Sequence, residues 1–421
     1  MHSSIPQHLA RILVALALPI PALAAQSAPL TLAEALKLAE SRSTQLAAQR
    51  AAAEASASMA TTAGELPDPK LIVGIENAPV EGPDRWSLTA DGMTMRRIGV
   101  MQDFVLGEKR DLMATRAQAE ARREAALVTM QATEIRKEVA MAWFERLYAE
   151  RSLALVDALL AESDLQITGT TAQLAAGRMG AADPVMARGQ RAALADRRLE
   201  IERMVRRAEA RLARWLGEDA KRAPSGEPDI TTLPTSAAKL TTDVENHPQL
   251  AMFAPMTAAA EAEAKLAAIA TKPDYSVELS YGARGAAYTN MVSLMVRMDL
   301  PVFSGSRQEP AALAKLKQAE QARAQAEDAR RRYESEVRAA LADYDIARQR
   351  VERNEKDIVP LAEERAKATL AAYEGGRADL SAVLEARRML LEARLMALNV
   401  RAEAARAWAG LAYLVDERNP K

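Results

Sequence analysis

The stretch STQLAAQRAAAEASA, residues 43–57, returns in altered form as HPQLAMFAPMTAAAEAEA, residues 247–264. Three further pairs of segments match in the same order along the chain. Matches in a fixed order indicate an internal duplication. We therefore predict two halves with one plan, residues 26–216 and 244–421, joined by a linker at 217–243 that is rich in Pro, Gly, Ser and Thr.

Each half contains two segments with the alternating pattern of a β-strand. In YSVELSYGAR, residues 275–284, apolar or aromatic side chains alternate with serine, glutamate and glycine. Such alternation gives a sheet one apolar and one polar face. A sheet packed on a globular core and a sheet in a membrane would both show this pattern. The predicted strands lie at about 70–76, 96–105, 275–284 and 291–301.

Long helical stretches make up most of the remaining sequence. Between Tyr333 and Leu361, apolar residues recur every three or four positions, which is typical of helices that pack lengthwise. Helices over about 108–167 and 306–372 would be roughly 90 and 100 Å long at about 1.5 Å per residue. These lengths exceed a compact domain, so we predict a mainly α fold with long helical hairpins and a small β part.

The turns between the long helices are marked by glycine. The segment YEGGRADLSAVLEARR, residues 373–388, interrupts a helical pattern with Gly375 and Gly376. Glycine ends helices because it adopts the left-handed conformation without strain. The predicted hairpin tips lie at about 168–184, which includes Gly177, and at about 373–381.

The N-terminal segment has the pattern of a secretory signal peptide. An apolar run from Ile12 to Ile20 precedes the small-residue sequence Ala22-Leu23-Ala24. The run is too short for a bilayer core of about 30 Å, so we predict a cleaved signal at 1–25 and an exported chain. The sequence contains no cysteine, which excludes disulfides and a lipid anchor on a processed cysteine.

Composition argues against several classes of function. The 56 basic and 57 acidic residues nearly balance, so no charge excess favours a nucleic-acid partner. His247 is the only histidine beyond the predicted signal, and no phosphate-binding Gly-rich motif occurs. We predict a non-enzyme with no catalytic residue, no cofactor and no metal site. Met93, Met95 and Met101 suggest a soft-metal contact, but we interpret them as apolar gap fillers.

The signal, the duplicated halves, the strand pairs and the long helices together resemble the TolC-type family of outer-membrane efflux channels. The resemblance covers about residues 30–417. Residues 66–88, LPDPKLIVGIENAPVEGPDRWSL, and 91–110, DGMTMRRIGVMQDFVLGEKR, are similar to the heavy-metal branch with CzcC- and CusC-like members. The resemblance implies a homotrimer in which four strands per chain build a 12-stranded outer-membrane β-barrel and the helices build an α-barrel tunnel in the periplasm.

The resemblance also implies a function and partners. The expected protein is the channel of a tripartite efflux system of the resistance-nodulation-division (RND) type, which conducts heavy-metal cations passively. Its partners would be outer-membrane lipid, a periplasmic adaptor (membrane fusion) protein and an inner-membrane RND pump, in a Gram-negative cell. Two alternatives stay open: the same channel with drugs or other exported molecules as cargo, and a soluble periplasmic coiled-coil scaffold or adaptor.

In the family the helical tips close the periplasmic end of the tunnel. Asp183 matches the aspartate that begins the returning helix of the first tip, and Arg377 matches the arginine of the second tip. Glu385 matches a lumen-facing carboxylate, and Asp379 lies beside it in sequence. The resemblance implies a gate in which Asp183 and Arg377 face each other. Ordinary solvated charges at helix ends remain the alternative. The predicted tip residues are Gly177, Asp183, Gly375, Gly376, Arg377, Asp379 and Glu385.

Overall fold

A computed structural model of the chain describes residues 28–177, 180–242 and 247–414. The predicted signal peptide at 1–25 lies outside these residues. The first half begins with two short helices, continues through two strands and ends in a pair of long helices. Its elements are α1 (Leu32–Arg42), α2 (Thr44–Thr62), β1 (Lys70–Glu76), β2 (Met95–Phe104), α3 (Gly107–Ala175) and α4 (Ala182–Leu216).

After a connecting segment, the second half follows a similar plan, with one helix before its two strands and three helices after them. That segment contains a 3₁₀ turn at Gly217–Lys221 and the short helix α5 (Ala237–Thr242). The elements that follow are α6 (Phe253–Ala268), β3 (Tyr275–Ala283), β4 (Met291–Met298), α7 (Gln308–Arg353), α8 (Val359–Glu374) and α9 (Leu380–Ala412). The prediction of a mainly α fold with duplicated helical hairpins and a small β part is confirmed.

The first long helix continues further than the sequence analysis predicted. A helix ending at about 167 was predicted, yet α3 extends through the Gly-Thr-Thr run at 169–171 to Ala175. The hydroxyl of Thr168 donates to the carbonyl of Asp164, and those of Thr170 and Thr171 donate to the carbonyl of Ile167. These bonds turn the threonine side chains back onto the preceding turn of the helix. The first tip is therefore shorter than the predicted 168–184.

The long helical column of the second half is interrupted where the sequence analysis predicted a single helix over 306–372. A π-helical turn at Asn354–Ile358 separates α7 from α8. Pro360 is the second residue of α8, and proline donates no backbone N–H and crowds the preceding turn of a helix. The π turn accommodates the proline while the column continues. The side chain of Asn354 is buried there, and its Nδ2 donates to the carbonyl of Arg350 at 2.8 Å.

The connecting segment packs against the helices and is therefore more than a linker. The Tyr344 hydroxyl donates to the carbonyl of Ile230 at 2.8 Å, and Trp408 Nε1 donates to that of Thr232 at 2.7 Å. Ile230 and Leu240 are buried in the main hydrophobic core. The sequence analysis predicted a linker or equatorial segment here, and its packing was not visible because these main-chain bonds leave no trace in the sequence.

The main hydrophobic core lies where both halves meet at this segment. It joins residues of α1, α3, α4, α7 and α9. The rings of Trp143 and Phe144 meet edge to face at 5.3 Å, and those of Phe144 and Trp408 at 6.0 Å. Trp143 Nε1 donates to the carbonyl of Leu30 at 3.1 Å, which fixes the first described residues against α3. A core of this kind holds the two halves together at one level of an otherwise elongated molecule.

The four strands form one antiparallel sheet in the order β1-β2-β3-β4. Strand β2 pairs with β3, so the sheet joins the two halves of the chain. The observed strands lie within two residues of the predicted bounds, apart from β4, which ends at Met298, three residues before Pro301. Among the described helices, none is both long enough and apolar enough to span a membrane.

Candidate functional site

One face of the sheet is mainly apolar and largely exposed, with Arg96 and Gln102 as its charged and polar members. The strand register aligns its side chains in rows, such as Leu71, Val100, Leu279 and Leu294. Most side chains of this face are between 43% and 70% exposed in the single chain. These exposed residues are Leu71, Val73, Ile75, Ile98, Val100, Tyr275, Leu279, Tyr281, Val292, Leu294, Val296 and Met298. A contiguous apolar surface of this kind marks contact with a partner or a membrane.

The opposite face of the sheet is polar and carries an ion network. Glu278, on β3, is only 1% exposed and forms ion pairs with Arg97 on β2 and Arg297 on β4. Arg97 also pairs with Glu76 on β1, and its Nε donates to the Ser280 hydroxyl at 2.9 Å. All four strands contribute, so the charges satisfy one another across the sheet. Burial of Glu278 without any partner chain indicates that the sheet curls toward this polar face.

Both outer edges of the sheet remain open. Strands β1 and β4 each pair with only one neighbour in the sheet formed by the described residues. Their outward backbone N–H and C=O groups are therefore available to further strands. An open edge beside an exposed apolar face is a strong template for pairing with another chain.

The two hairpin tips are built around glycines in the left-handed conformation. Gly177 has a φ of 71° and Gly376 a φ of 70°. At the second tip, Gly376 N–H donates to the carbonyl of Tyr373 at 2.9 Å and Arg377 N–H to that of Ala372 at 2.8 Å. These bonds satisfy the last carbonyls of α8 in the manner of a Schellman motif. Gly375 is different because its φ is −81°.

The charged residues of the tips mainly stabilise their own helix ends. Asp183 Oδ2 accepts the Gly180 N–H at 3.1 Å at the start of α4. Asp379 caps α9. The Ser381 hydroxyl and, to a smaller extent, the Ala382 N–H donate hydrogen bonds to its carboxyl group and lower its pKa. Among the described residues, Asp183 and Arg377 form no ion pair within one chain.

Two further tip side chains have local neighbours. Hydrogen bonds from Arg388 lower the pKa of Glu385, and the two side chains form an ion pair at 2.7 Å. The Arg377 guanidinium lies beside Gly375. A Cβ added at Gly375 would be 3.4 Å from Nε of Arg377. The second tip is thus a hydrogen-bonded turn on which Arg377 and Asp379 are exposed.

The described residues contain no group of three or more His, Cys, Asp and Glu side chains arranged to hold a metal ion. His247 is buried, and its ring lies on that of Tyr333 with 4.2 Å between centroids. The location of His247 in the core does not suggest catalysis.

Comparison with known proteins agrees with this architecture. Residues 243–415 match the family described as "Outer membrane efflux protein". The chain is 24% identical over 384 residues to the cobalt-zinc-cadmium resistance protein CzcC of Cupriavidus metallidurans, covering 88% of this chain and 86% of CzcC.

Solved structures extend the similarity to the whole fold. The outer membrane protein VceC of Vibrio cholerae has a TM-score of 0.76 at 20% identity, over 91% of this chain and 95% of VceC. CusC has a TM-score of 0.77 at 16% identity, over 91% of this chain and 92% of CusC. The chain has the TolC-type channel fold. Its second half matches the efflux-protein family, and the predicted resemblance to TolC-type channels is confirmed at the level of the fold.

The sequence analysis missed the ion network on the polar face of the sheet. Glu278 and Arg297 were recognised only as polar members of alternating strands. Their contacts depend on the register between β2, β3 and β4, which joins residues that are far apart in sequence. Oppositely charged residues at alternate positions of several strands were the available signal.

Proposed function

We propose that three copies of this chain form a passive outer-membrane channel of a tripartite efflux system for heavy-metal cations. The observation that carries the proposal is the sheet, with its exposed apolar face, its polar face rich in ion pairs and its two open edges. Lipid accepts a sheet only when every strand edge is paired. Four strands are too few to close a barrel, whereas three chains supply about twelve, within the known range.

The helical hairpins would extend from this barrel into the periplasm as a tunnel wall. α3 alone contains 69 residues, which corresponds to roughly 100 Å at about 1.5 Å per residue. A tunnel of this length suits a protein that meets a periplasmic adaptor and an inner-membrane RND pump with its helical tips. Energy would come from the pump, because the channel itself provides only a path.

Cell fractionation tests the channel proposal. We expect the protein in the outer membrane, with migration on a gel that changes on heating, and ion conductance after reconstitution in planar bilayers. Recovery from the soluble periplasm without conductance would favour a coiled-coil scaffold or adaptor and overturn the proposal.

The cargo is proposed from similarity to a relative. CzcC is named a cobalt-zinc-cadmium resistance protein, and it aligns with most of this chain. A strain lacking the gene should lose tolerance to at least one of cobalt, zinc, cadmium, copper or silver and regain it on complementation. Unchanged metal tolerance together with lost tolerance to organic compounds would instead indicate a drug channel.

The tips are proposed as the periplasmic gate. Asp183 and Arg377 lie on equivalent tips of the two halves, and a closed ring of helices would bring them together between hairpins. An exposed ion pair contributes only about 0–1 kcal/mol, so a lock requires several symmetric copies. Asp379 would add negative charge at the same mouth, where Glu385 is ion-paired with Arg388, while Gly177, Gly375 and Gly376 shape the turns.

Conductance measurements test the gate. The double variant Asp183→Ala with Arg377→Ala should raise single-channel conductance in planar bilayers, because it removes both partners of the proposed lock. Arg197→Ala with Glu200→Ala is a matched control, since it removes an exposed ion pair within α4, away from the tip. Equal conductance of the wild type and the tip variant would contradict the gate.

A further inference from the structure

Of the strand residues on the mainly apolar face, Arg96 alone is charged. It is exposed, and its one hydrogen bond is a long one, from Nη2 to the carbonyl of Arg284 at 3.4 Å. Within the part of the chain that the structure describes it has no carboxylate partner, whereas its neighbour Arg97 pairs with Glu76 and Glu278 on the opposite face. Most of the guanidinium N–H groups of Arg96 therefore lack an acceptor.

The hydroxyl of Tyr281 is joined to the same backbone segment as Arg96. The register pairs Arg96 with Ala283, so Tyr281, two residues earlier on β3, is its diagonal neighbour on this face. Diagonal neighbours are about 7–8 Å apart, within reach of long side chains. The Asn290 Nδ2 donates to the Tyr281 hydroxyl at 2.6 Å, and its Oδ1 accepts at 3.0 Å the N–H of Arg284, whose carbonyl binds Arg96. Since this hydroxyl already accepts a bond, its own hydrogen is available to a further acceptor.

Arg96 and Tyr281 lie near one end of the apolar face. The opposite end, next to the long helices, carries Phe104 and Tyr275, whose stacked rings have 5.2 Å between centroids. Arg96 and Phe104 are eight residues apart along β2, about 26 Å at roughly 3.3 Å per residue, or about 20 Å of height on a strand tilted by about 40°. The apolar band of a membrane barrel is about 25 Å tall. In the proposed barrel, the long side chain of Arg96 would therefore reach the lipid headgroups on the side away from the helices.

We propose that Arg96 and Tyr281 bind the phosphate group of an outer-leaflet lipid, with its acyl chains along the aliphatic rows of the same face. This inference rests on the proposed function, which puts that face in lipid and the helices in the periplasm. A guanidinium suits phosphate because it donates two parallel charge-assisted N–H bonds. Arginine on a lipid-facing strand is costly at the midplane and tolerated near the interface. The amide of Gln102, on the same face, needs no lipid partner because it donates to the carbonyl of Pro67 at 2.7 Å.

Lipid binding to the purified full-length protein in a non-ionic detergent tests the inference. The probe is diphosphoryl lipid A, and native mass spectrometry counts the bound molecules. We expect Arg96→Gln to weaken binding about tenfold and Tyr281→Phe to weaken it less, since bonds from a charged donor to phosphate are the stronger ones. Arg96→Lys should restore binding only in part, because lysine keeps the charge without the two parallel N–H bonds. Arg85→Gln is the matched control, since it removes an exposed charge from the loop between β1 and β2 and should bind as the wild type does.

Two comparisons identify the source of the phosphate. Lipid A stripped of its phosphates should bind more weakly by about the same factor as in Arg96→Gln, and inorganic phosphate should not displace the intact lipid. Displacement by inorganic phosphate would indicate a site for the free ion and overturn the lipid assignment. Equal binding of the stripped lipid, unchanged binding by a folded Arg96→Gln variant, or an equal loss in Arg85→Gln would also overturn it. A protein without conductance in planar bilayers would refute the channel, while this assay would still decide the lipid site.

Discussion

Gly375 and Gly376 are neighbours with different backbone requirements. Gly376 has a φ of 70°, which costs an L-residue about 1 kcal/mol or more, whereas the φ of −81° at Gly375 suits any residue. We expect Gly376→Ala to loosen the second tip and Gly375→Ala, its matched control, to leave it intact. Hydrogen exchange of the amides at 375–380 measures this. Equal protection in the two variants would contradict the assigned role of Gly376.

Glu227 joins the connecting segment to α3 and should make the free energy of unfolding depend on pH. Partial burial raises its pKa, but hydrogen bonds from Tyr148 and Arg151 outweigh this and hold it below the ordinary value of 4.5. A carboxylate with a lowered folded pKa contributes stability above its unfolded pKa and loses it as pH falls through the folded value.

At pH 7 we therefore expect Glu227→Gln to reduce the free energy of unfolding by about 1–2 kcal/mol, as for a hydrogen-bonded charge. The difference from the wild type should shrink as the pH falls below 4.5. Thermal unfolding in detergent at several pH values measures it. The exposed residue Glu218 offers a control, Glu218→Gln. A difference that stays the same at acidic pH would contradict the role assigned to the Glu227 carboxylate.

At the scale of elements, the loop between β1 and β2 and the loop between β3 and β4 depend on close contact with each other. A side chain at Gly285 would overlap the carbonyl oxygen of Thr89, while Gly74, in β1, has open space around it. We expect Gly285→Ala to separate the loops and to speed tryptic cleavage after the exposed Arg85 several-fold. Gly74→Ala should not change the rate. Identical cleavage of both variants would mean that the loops do not hold each other.

The strands and tips could be predicted from sequence because their signals are local. Alternation defined β1 and β3 closely, and Gly375 with Gly376 marked the end of α8. Other features depend on contacts that the sequence does not reveal. The continuation of α3 past Thr168 rests on hydroxyl bonds to the preceding turn, and the packing of 217–243 rests on main-chain carbonyls bound by Tyr344 and Trp408.

Some residues of the candidate site could likewise be predicted from the sequence, and others could not. Family resemblance supplied tip residues such as Asp183 and Arg377, and their joint role stays a proposal because it requires neighbouring hairpins. The network around Glu278 became visible only with the register between strands. The alternating pattern predicts the face of the sheet on which a side chain lies. It does not predict contacts such as that between Arg97 and Glu278, because these depend on how distant segments are aligned.

At the scale of the whole molecule, the single chain leaves an apolar face and two strand edges uncovered. The apolar face of the sheet and the open edges of β1 and β4 lie together at one end of the long helices. Pairing β4 of one copy with β1 of the next would close the edges and leave the apolar rows as a continuous outer band. The polar face with Glu278 would then line the inside, which accounts for its buried ion pairs.

Adjacent residues on β4 test this orientation. Leu294 belongs to the apolar row of Leu279 and is 70% exposed in the single chain, whereas Ser293 faces Ser280 on the polar side. An arginine in the lipid midplane costs about 2–4 kcal/mol per chain, and three chains multiply the cost. We expect Leu294→Arg to abolish heat-modifiable assembly in the outer membrane and Ser293→Arg to permit it. If Ser293→Arg fails while Leu294→Arg assembles, the faces are reversed and the proposed barrel is wrong.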